Sequence, residues 1–121
     1  MTYKILVVED DQAILDLMDL LIRKLGYEPV LIGNGIDALK SIQADPPALI
    51  LLDIMMMPLN GWEFLEKLRT ECRMKDLPVI IFSASPAVDE HIAKIRDPHL
   101  GVLHKPVSLA ELRDTLKTYL P

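Results

Sequence analysis

The chain has 121 residues, of which 50% are hydrophobic and 26% charged, and it carries a net charge of −5 at pH 7. That size suits one globular domain, residues 1–121, with a core of its own, and the acidic excess argues against a nucleic-acid-binding face, which needs clustered Lys and Arg. The apolar runs fall well short of the roughly 20 residues that span a bilayer, and the N-terminus shows no secretory leader, so we expect a cytoplasmic protein that does not enter membranes.

Ile5 to Val8 reads as a short buried strand ending in three acids, Glu9, Asp10 and Asp11. Ile14, Leu17, Met18, Leu21, Ile22 and Leu25 then recur at helical spacing, with Gly26 placed to cap the end. Glu28 to Ile32 is a second strand; Pro29 lacks the N–H that a central strand uses, so this strand belongs on an edge. Gly33, Asn34 and Gly35 turn into a helix expected to bury Ile36, Leu39 and Ile42, closed by Asp45, Pro46 and Pro47.

Leu49, Ile50, Leu51 and Leu52 are apolar without alternation, as in a strand covered on both faces of a parallel sheet, and they run into Asp53. From Gly61 to Cys72 a helix points Phe64, Leu65 and Leu68 inward, and the lone Cys72 reads as a helix residue, with no partner for an internal disulfide. Pro78 to Phe82 forms a fourth strand that ends in Ser83, Ala84, Ser85 and Pro86. The helix after it, about Ala87 to Arg96, has only Val88, Ile92 and Ile95 to bury and is the most weakly anchored. Gly101 to Leu103 makes a fifth strand, followed by His104, Lys105 and Pro106. Ser108 and Glu111 then form a capping box that opens a helix with Leu109, Leu112, Leu116 and Tyr119 on its buried side.

Five strands alternating with five helices imply an α/β fold, a doubly wound parallel sheet with right-handed crossovers. In the flavodoxin-like strand order 2-1-3-4-5, with the second strand on an edge, Glu9, Asp10, Asp53, Ser83 and Lys105 all reach one crevice at the carboxyl ends of the strands. Singly, each has a plain structural reading: an acid after a strand caps a turn or a helix, a Lys before Pro is a solvated loop residue. Together they describe a chemical site. Three carboxylates in one crevice need a cation, and a donor set of hard oxygens without His or Cys suits magnesium. With Lys105 as a second positive group and Ser83 as a hydroxyl donor, such a crevice can hold Asp53 ionised as a nucleophile toward a phosphoryl group.

The segments ILVVEDD from Ile5, LILLDIMM from Leu49, LPVIIFSAS from Leu77 and LHKPVSLAEL from Leu103 together resemble the response-regulator receiver domain of two-component signalling, including its chemotaxis-type members. The separations agree: 30 residues from Asp53 to Ser83 (83 − 53) and 52 from Asp53 to Lys105 (105 − 53). The resemblance implies that Asp53 accepts a phosphoryl group from the phosphohistidine of a histidine kinase or a histidine phosphotransfer protein. It also implies that Asp10 binds Mg2+ directly, that Glu9 acts nearby through water, and that the backbone carbonyl of Met55 completes the metal set. Lys105 would contact the phosphoryl group, Ser83 would swing toward it, and the Lys105–Pro106 bond would be cis. The domain would assist its own phosphorylation and dephosphorylation without being a turnover enzyme. It could pair as a homodimer through the fourth helix, fifth strand and fifth helix, and could be either a stand-alone protein or part of a larger one.

The chain departs from the family pattern in several places. Met57 holds the usual proline position, with the proline at Pro58. Val102 stands where a switch aromatic is expected, and Val107 follows the Lys-Pro pair. Output would then run through the Ser83 to Pro86 loop and the fourth helix. Met55 and Ser85 occupy the positions that control water access to the phosphoryl group, and a bulky Met55 implies a long-lived phosphorylated state. Two enzyme-like or ligand-binding readings fit worse. A haloacid-dehalogenase-type phosphatase needs a second Asp where Met55 stands, and a nucleotide- or flavin-binding module needs a phosphate cradle where Glu9, Asp10 and Asp11 would repel phosphate. The alternative that stays open is a degenerate receiver that binds partners without phosphorylation.

Overall fold

The computed structural model describes residues 2–55, 59–84 and 87–120. Five strands, β1 (Lys4–Val8), β2 (Glu28–Ile32), β3 (Leu49–Asp53), β4 (Val79–Ser83) and β5 (Leu100–His104), alternate with five helices, α1 (Gln12–Lys24), α2 (Gly35–Ala44), α3 (Gly61–Arg69), α4 (Ala87–Ile95) and α5 (Leu109–Tyr119). The sheet is parallel throughout in the order β2-β1-β3-β4-β5, as expected, with Pro29 on the edge strand. No helix among the described residues is long and apolar enough to cross a membrane.

Strand parity divides the core in two. Ile5, Val7, Leu49, Leu51, Ile80, Phe82 and Leu103 form one layer with Leu15, Met18 and Ile22 of α1 and Leu112 and Leu116 of α5. Leu6, Val8, Ile50, Leu52, Val79, Ile81 and Leu100 form the other with Ala38, Ile42, Phe64, Leu65, Leu68 and Val88 of α2, α3 and α4. Because successive side chains point to opposite faces, the unbroken apolar runs of β1, β3 and β4 serve both layers. Strand register then aligns the carboxyl ends: Val8 pairs with Leu52, Asp53 with Phe82, and Ser83 with His104.

Two helix phases differ from expectation. Leu17 is 47% exposed and Ile36 46%, while Leu15 and Ala38 occupy the buried seats. At about 100° per residue, Leu17 lies a quarter-turn from the inward Met18, and Ile36 lies about 200° from the inward Ala38. Leu109 and Ile95, also expected inside, sit at the margin and are part-exposed. Helix α3 stops at Arg69, so Cys72 lies in the turn beyond it rather than in the helix.

The helix ends explain their boundaries. Gly26 adopts φ 89° after α1, its N–H donates to Arg23 O (3.0 Å), and Tyr27 N–H donates to Ile22 O (3.1 Å), the paired bonds of a Schellman end. Ser108 accepts from Glu111 N–H (3.1 Å) as expected, but its hydroxyl donates to the Glu111 carboxylate (2.9 Å). The reciprocal capping box is instead at α3, where Asn60 accepts from Glu63 N–H (2.9 Å) and Glu63 accepts from Asn60 N–H (3.1 Å).

Helix α4 has one fully buried side chain, Val88. It is tied down by polar and aromatic contacts instead: His91 stacks on Trp62 of α3 at 4.0 Å, and His104 Nε2 lies 3.2 Å from Asp89 Oδ2. Its far end is held by Arg69, which pairs with Asp97 (2.9 Å) and donates to the carbonyls of Met74 (2.7 Å), Leu77 (2.6 Å) and His99 (3.2 Å).

Gly61 fixes the segment after β3. A Cβ there would stand 2.5 Å from Ile54 Cα and 3.0 Å from Asp53 O, atoms of the backbone that cannot swing aside. Gly61→Ala should therefore destabilise the protein by about 1–3 kcal/mol. Gly33→Ala, whose nearest contact would be 4.0 Å away, should stay within about 0.5 kcal/mol. Urea unfolding of the two variants measures the difference.

Candidate functional site

The parallel register brings the ends of β1, β3, β4 and β5 to one edge. Glu9 and Asp53 are almost fully enclosed there, 1% and 4% exposed, and Ser83 is buried beside them, while Asp10 stays exposed at the rim. One ligand oxygen from each of Glu9, Asp10 and Asp53 can be chosen so that all lie within 4.8 Å of one another.

Each side chain is set by its neighbourhood. Glu9 N–H donates to Ile32 O (3.2 Å), and Glu9 Oε1 accepts from Asp11 N–H (3.1 Å). Asp11 itself caps α1 by accepting from Ala13 N–H (2.9 Å). Asp53 Oδ1 accepts from Met55 N–H (3.1 Å), so the amide of Met55 is turned to the acid while its side chain is 74% exposed. Lys105 Nζ lies 3.2 Å from Glu9 Oε2 and 3.8 Å from Asp53 Oδ1. Its backbone N–H donates to Ser83 O (2.9 Å), which fixes the root of the side chain, and the Lys105–Pro106 peptide is cis. Asp53, Met55, Ser83, Ala84 and Lys105 line a cleft of ≈ 370 Å³ above these groups.

All the candidate residues from the sequence thus meet at one edge. Two features of the arrangement were not foreseen. Glu9, not Asp10, is the enclosed member of the acidic pair and the ion-pair partner of Lys105. The Lys105 ammonium also stands over the ring of Phe82, 4.8 Å from its centroid. The sequence signal for the second was slight: an aromatic residue in the last apolar place of β4 reads as core. Met57, Pro58, Ser85 and Pro86, which carried expectations about the loops around the cleft, lie outside the described residues.

Three carboxylates face one ammonium. Burial and the neighbouring Asp53 carboxylate push Glu9 up from 4.5 to about 7, and the Asp11 N–H and Lys105 offset this only in part. A crevice that raises its own glutamate has room for more positive charge, and its donors are hard oxygens, with no His or Cys in the cluster. That chemistry fits a magnesium-type ion, which takes one or two carboxylates and keeps water.

A family model described as the response regulator receiver domain matches residues 5–117. The response regulator MprA of Mycobacterium ulcerans is 33% identical over 120 residues, covering 99% of this chain and 51% of that protein. The chain therefore spans about half the length of the curated relatives it matches. Among solved structures, the chemotaxis protein CheY4 of Vibrio cholerae superposes with a TM-score of 0.89 at 24% identity, over 99% of this chain and 100% of that one; at that identity the likeness speaks for the fold. The receiver domain of the sensor histidine kinase PA1611 of Pseudomonas aeruginosa, with magnesium coordinated in its active-site cleft, gives 0.86 at 25% identity over 98% of each chain.

The Glu9 shift sets a pH dependence in metal-free protein. Between 4.5 and about 7 the folded chain holds the Glu9 proton more tightly than the unfolded chain. Its stabilising contribution is complete below 4.5 and is lost as pH rises through about 7. Glu9→Gln should therefore gain stability relative to the unsubstituted protein from pH 5 to pH 8, as read by unfolding midpoints; a constant difference would place Glu9 in an ordinary solvated setting.

Proposed function

The chain belongs to the response regulator receiver domain family, and on that premise we propose that it is a phosphorylation-dependent signalling switch in which Asp53 is the phosphoacceptor. The observation that carries this reading is the convergence of Glu9, Asp10, Asp53 and Lys105 on one cleft, with the Lys105 ammonium between the Glu9 and Asp53 carboxylates. The donor is the phosphohistidine of a histidine kinase or of a histidine phosphotransfer protein.

In the transfer, an Asp53 carboxylate oxygen attacks phosphorus in line with the P–N bond. A P–O bond forms as the P–N bond breaks, and its electron pair stays on the imidazole, which leaves neutral when its other nitrogen carries a proton. Met55 N–H, already bonded to Asp53 Oδ1, orients the nucleophile. Lys105 moves from the carboxylates onto the phosphoryl oxygens, and Ser83 supplies a hydroxyl from the far wall. Glu9, Asp10 and Asp53, with the Met55 carbonyl, would hold Mg2+. Bound there, the ion supplies the positive charge that lets an acyl phosphate form among carboxylates. Attack of water on the phosphorus later returns the carboxylate and inorganic phosphate, so the domain resets itself and is not a turnover enzyme.

The same reading places the protein in the cytoplasm and makes the face of α4, β5 and α5 a candidate for homodimerisation. A net charge of −5 argues against a nucleic-acid-binding face on the domain itself. A second reading, a receiver that binds partners without phosphorylation, is favoured by one observation: Val102, part-buried against the α2, α3 and α4 layer, stands in place of the switch aromatic.

Incubation with a small-molecule phosphodonor and magnesium, followed by intact mass, separates the two. The switch gains one phosphoryl group, and Asp53→Asn gains none; no gain by the unsubstituted protein would favour the phosphorylation-independent reading.

The exposed Met55 side chain beside the cleft screens the phosphoryl group from water. Met55→Asn should therefore shorten the phosphorylated lifetime, measured as the decay of the phosphorylated mass after the donor is removed. An unchanged decay would remove Met55 from that role.

A further inference from the structure

Lys105 stands as a wall between two cavities. On one side is the acid cleft with Asp53 and Ser83; on the other is an apolar cavity of ≈ 370 Å³ lined in part by Met18, Phe82, Pro106 and Val107. Its side chain is only part-buried, and a lysine stem has several rotatable bonds whose freedom must be given up to hold one pose. Two of its contacts are carboxylates, and both are groups that the proposed reaction takes away: Glu9 would turn to the metal, and Asp53 would become an acyl phosphate. The third contact survives. Phe82 is 1% exposed, its ring belongs to the α1 and α5 core layer, and its centroid lies 4.8 Å from Nζ.

We propose that Phe82 is a positioning residue, whose ring face holds the Lys105 ammonium at the mouth of the acid cleft when its carboxylate partners are engaged elsewhere. The inference deepens the phosphoacceptor reading of the same site and rests on it for its kinetic consequence. An aromatic face suits this task because it attracts a cation without carrying a charge. A carboxylate beneath Lys105 would compete with the phosphoryl oxygens for the ammonium and would add a fourth negative charge to a crevice that already holds three. An aliphatic residue would leave the ammonium free to swing over the neighbouring apolar cavity. The ring is itself rigidly seated: Phe82 pairs in register with Asp53 on one side and Leu103 on the other, so nucleophile and lysine anchor are neighbours in the same sheet.

The test uses the 121-residue chain with acetyl phosphate as donor and Mg2+ present. Phe82→Leu should phosphorylate more slowly by on the order of threefold to thirtyfold, the range that a partly desolvated cation–π contact supports. Site-specific replacement of Phe82 by mono-, di- and trifluorophenylalanine keeps the shape and progressively weakens the ring's negative face. The rate should fall stepwise along that series while the unfolding midpoint stays constant. A merely structural Phe82 gives equal rates across the fluorinated series, and that result overturns the proposal even if Phe82→Leu fails to fold. If the unsubstituted protein takes up no phosphoryl group, the phosphoacceptor reading fails, and the positional claim is then decided by NMR order parameters of the Lys105 ammonium in the Glu9→Gln, Asp53→Asn variant, in which neither carboxylate holds it. These should decline with each added fluorine; unchanged order parameters overturn the claim.

Discussion

The structure depends on keeping two carboxylates, Glu9 and Asp53, out of water at the same edge of the sheet, against one lysine. Burying charge is costly unless it is paired and hydrogen-bonded, and the surrounding chain is arranged to meet that cost. Backbone N–H groups of Asp11 and Met55 donate to the two acids, and the bond from Lys105 N–H to Ser83 O roots the cation opposite them. None of this works unless β1 and β3 are adjacent and in register. Their pairing, from Ile5 with Leu49 to Val8 with Leu52, rests on apolar side chains packed on both faces. The core layers are thus the means by which three charges are held within ion-pair distance.

The rim opposite the acids is secured differently. Arg69 is mostly buried and gathers Asp97 and three carbonyls, so the turns before β4 and before β5 are joined through one guanidinium whose fork geometry suits several acceptors at once. Between that hub and the acid cleft lies α4, with Val88 alone fully buried. Its remaining anchors, the His91–Trp62 stack and the His104–Asp89 pair, are part-exposed contacts of the kind worth least in water. The domain therefore combines a stiff frame at both ends of the sheet with one helix whose seat costs little to disturb. That helix is joined to the site by short links: Ser83 ends β4 two residues after Ile81 and accepts from Lys105, and His104, the next residue back, reaches α4.

Much of this was legible from the residues. Unalternating runs such as Leu49 to Leu52 require burial on both faces, and one proline, Pro29, orients the sheet by needing an edge. The flavodoxin-like strand order assumed for such a chain agrees with that edge, and in it Glu9, Asp53, Ser83 and Lys105 meet. Helix phase was less legible where apolar residues outnumber the seats: α1 offers Leu15, Leu17, Met18, Leu20 and Leu21, and only packing against the sheet selects Leu15 and Met18 while leaving Leu17 and Leu20 to solvent. Glu9 and Asp10 could not be told apart because their order along the chain does not say which falls on the inward side of the turn after β1. The contact of Lys105 with Phe82 links residues on neighbouring strands whose register is a property of the assembled sheet.

The charge balance ties stability and recognition into one quantity. With three carboxylates against one ammonium, the folded chain holds a proton on Glu9 up to about pH 7 that the unfolded chain would release near 4.5. Whatever brings positive charge into the crevice relieves that repulsion in the folded state and finds no equivalent cluster in the unfolded one, so it stabilises the fold by the free energy of its own binding. A crevice neutralised in advance by a second lysine would make a more stable domain and a poorer receptor for a cation. The unbalanced acids at the carboxyl ends of β1 and β3 are thus a local weakness of the fold, one that a cation entering the crevice would remove.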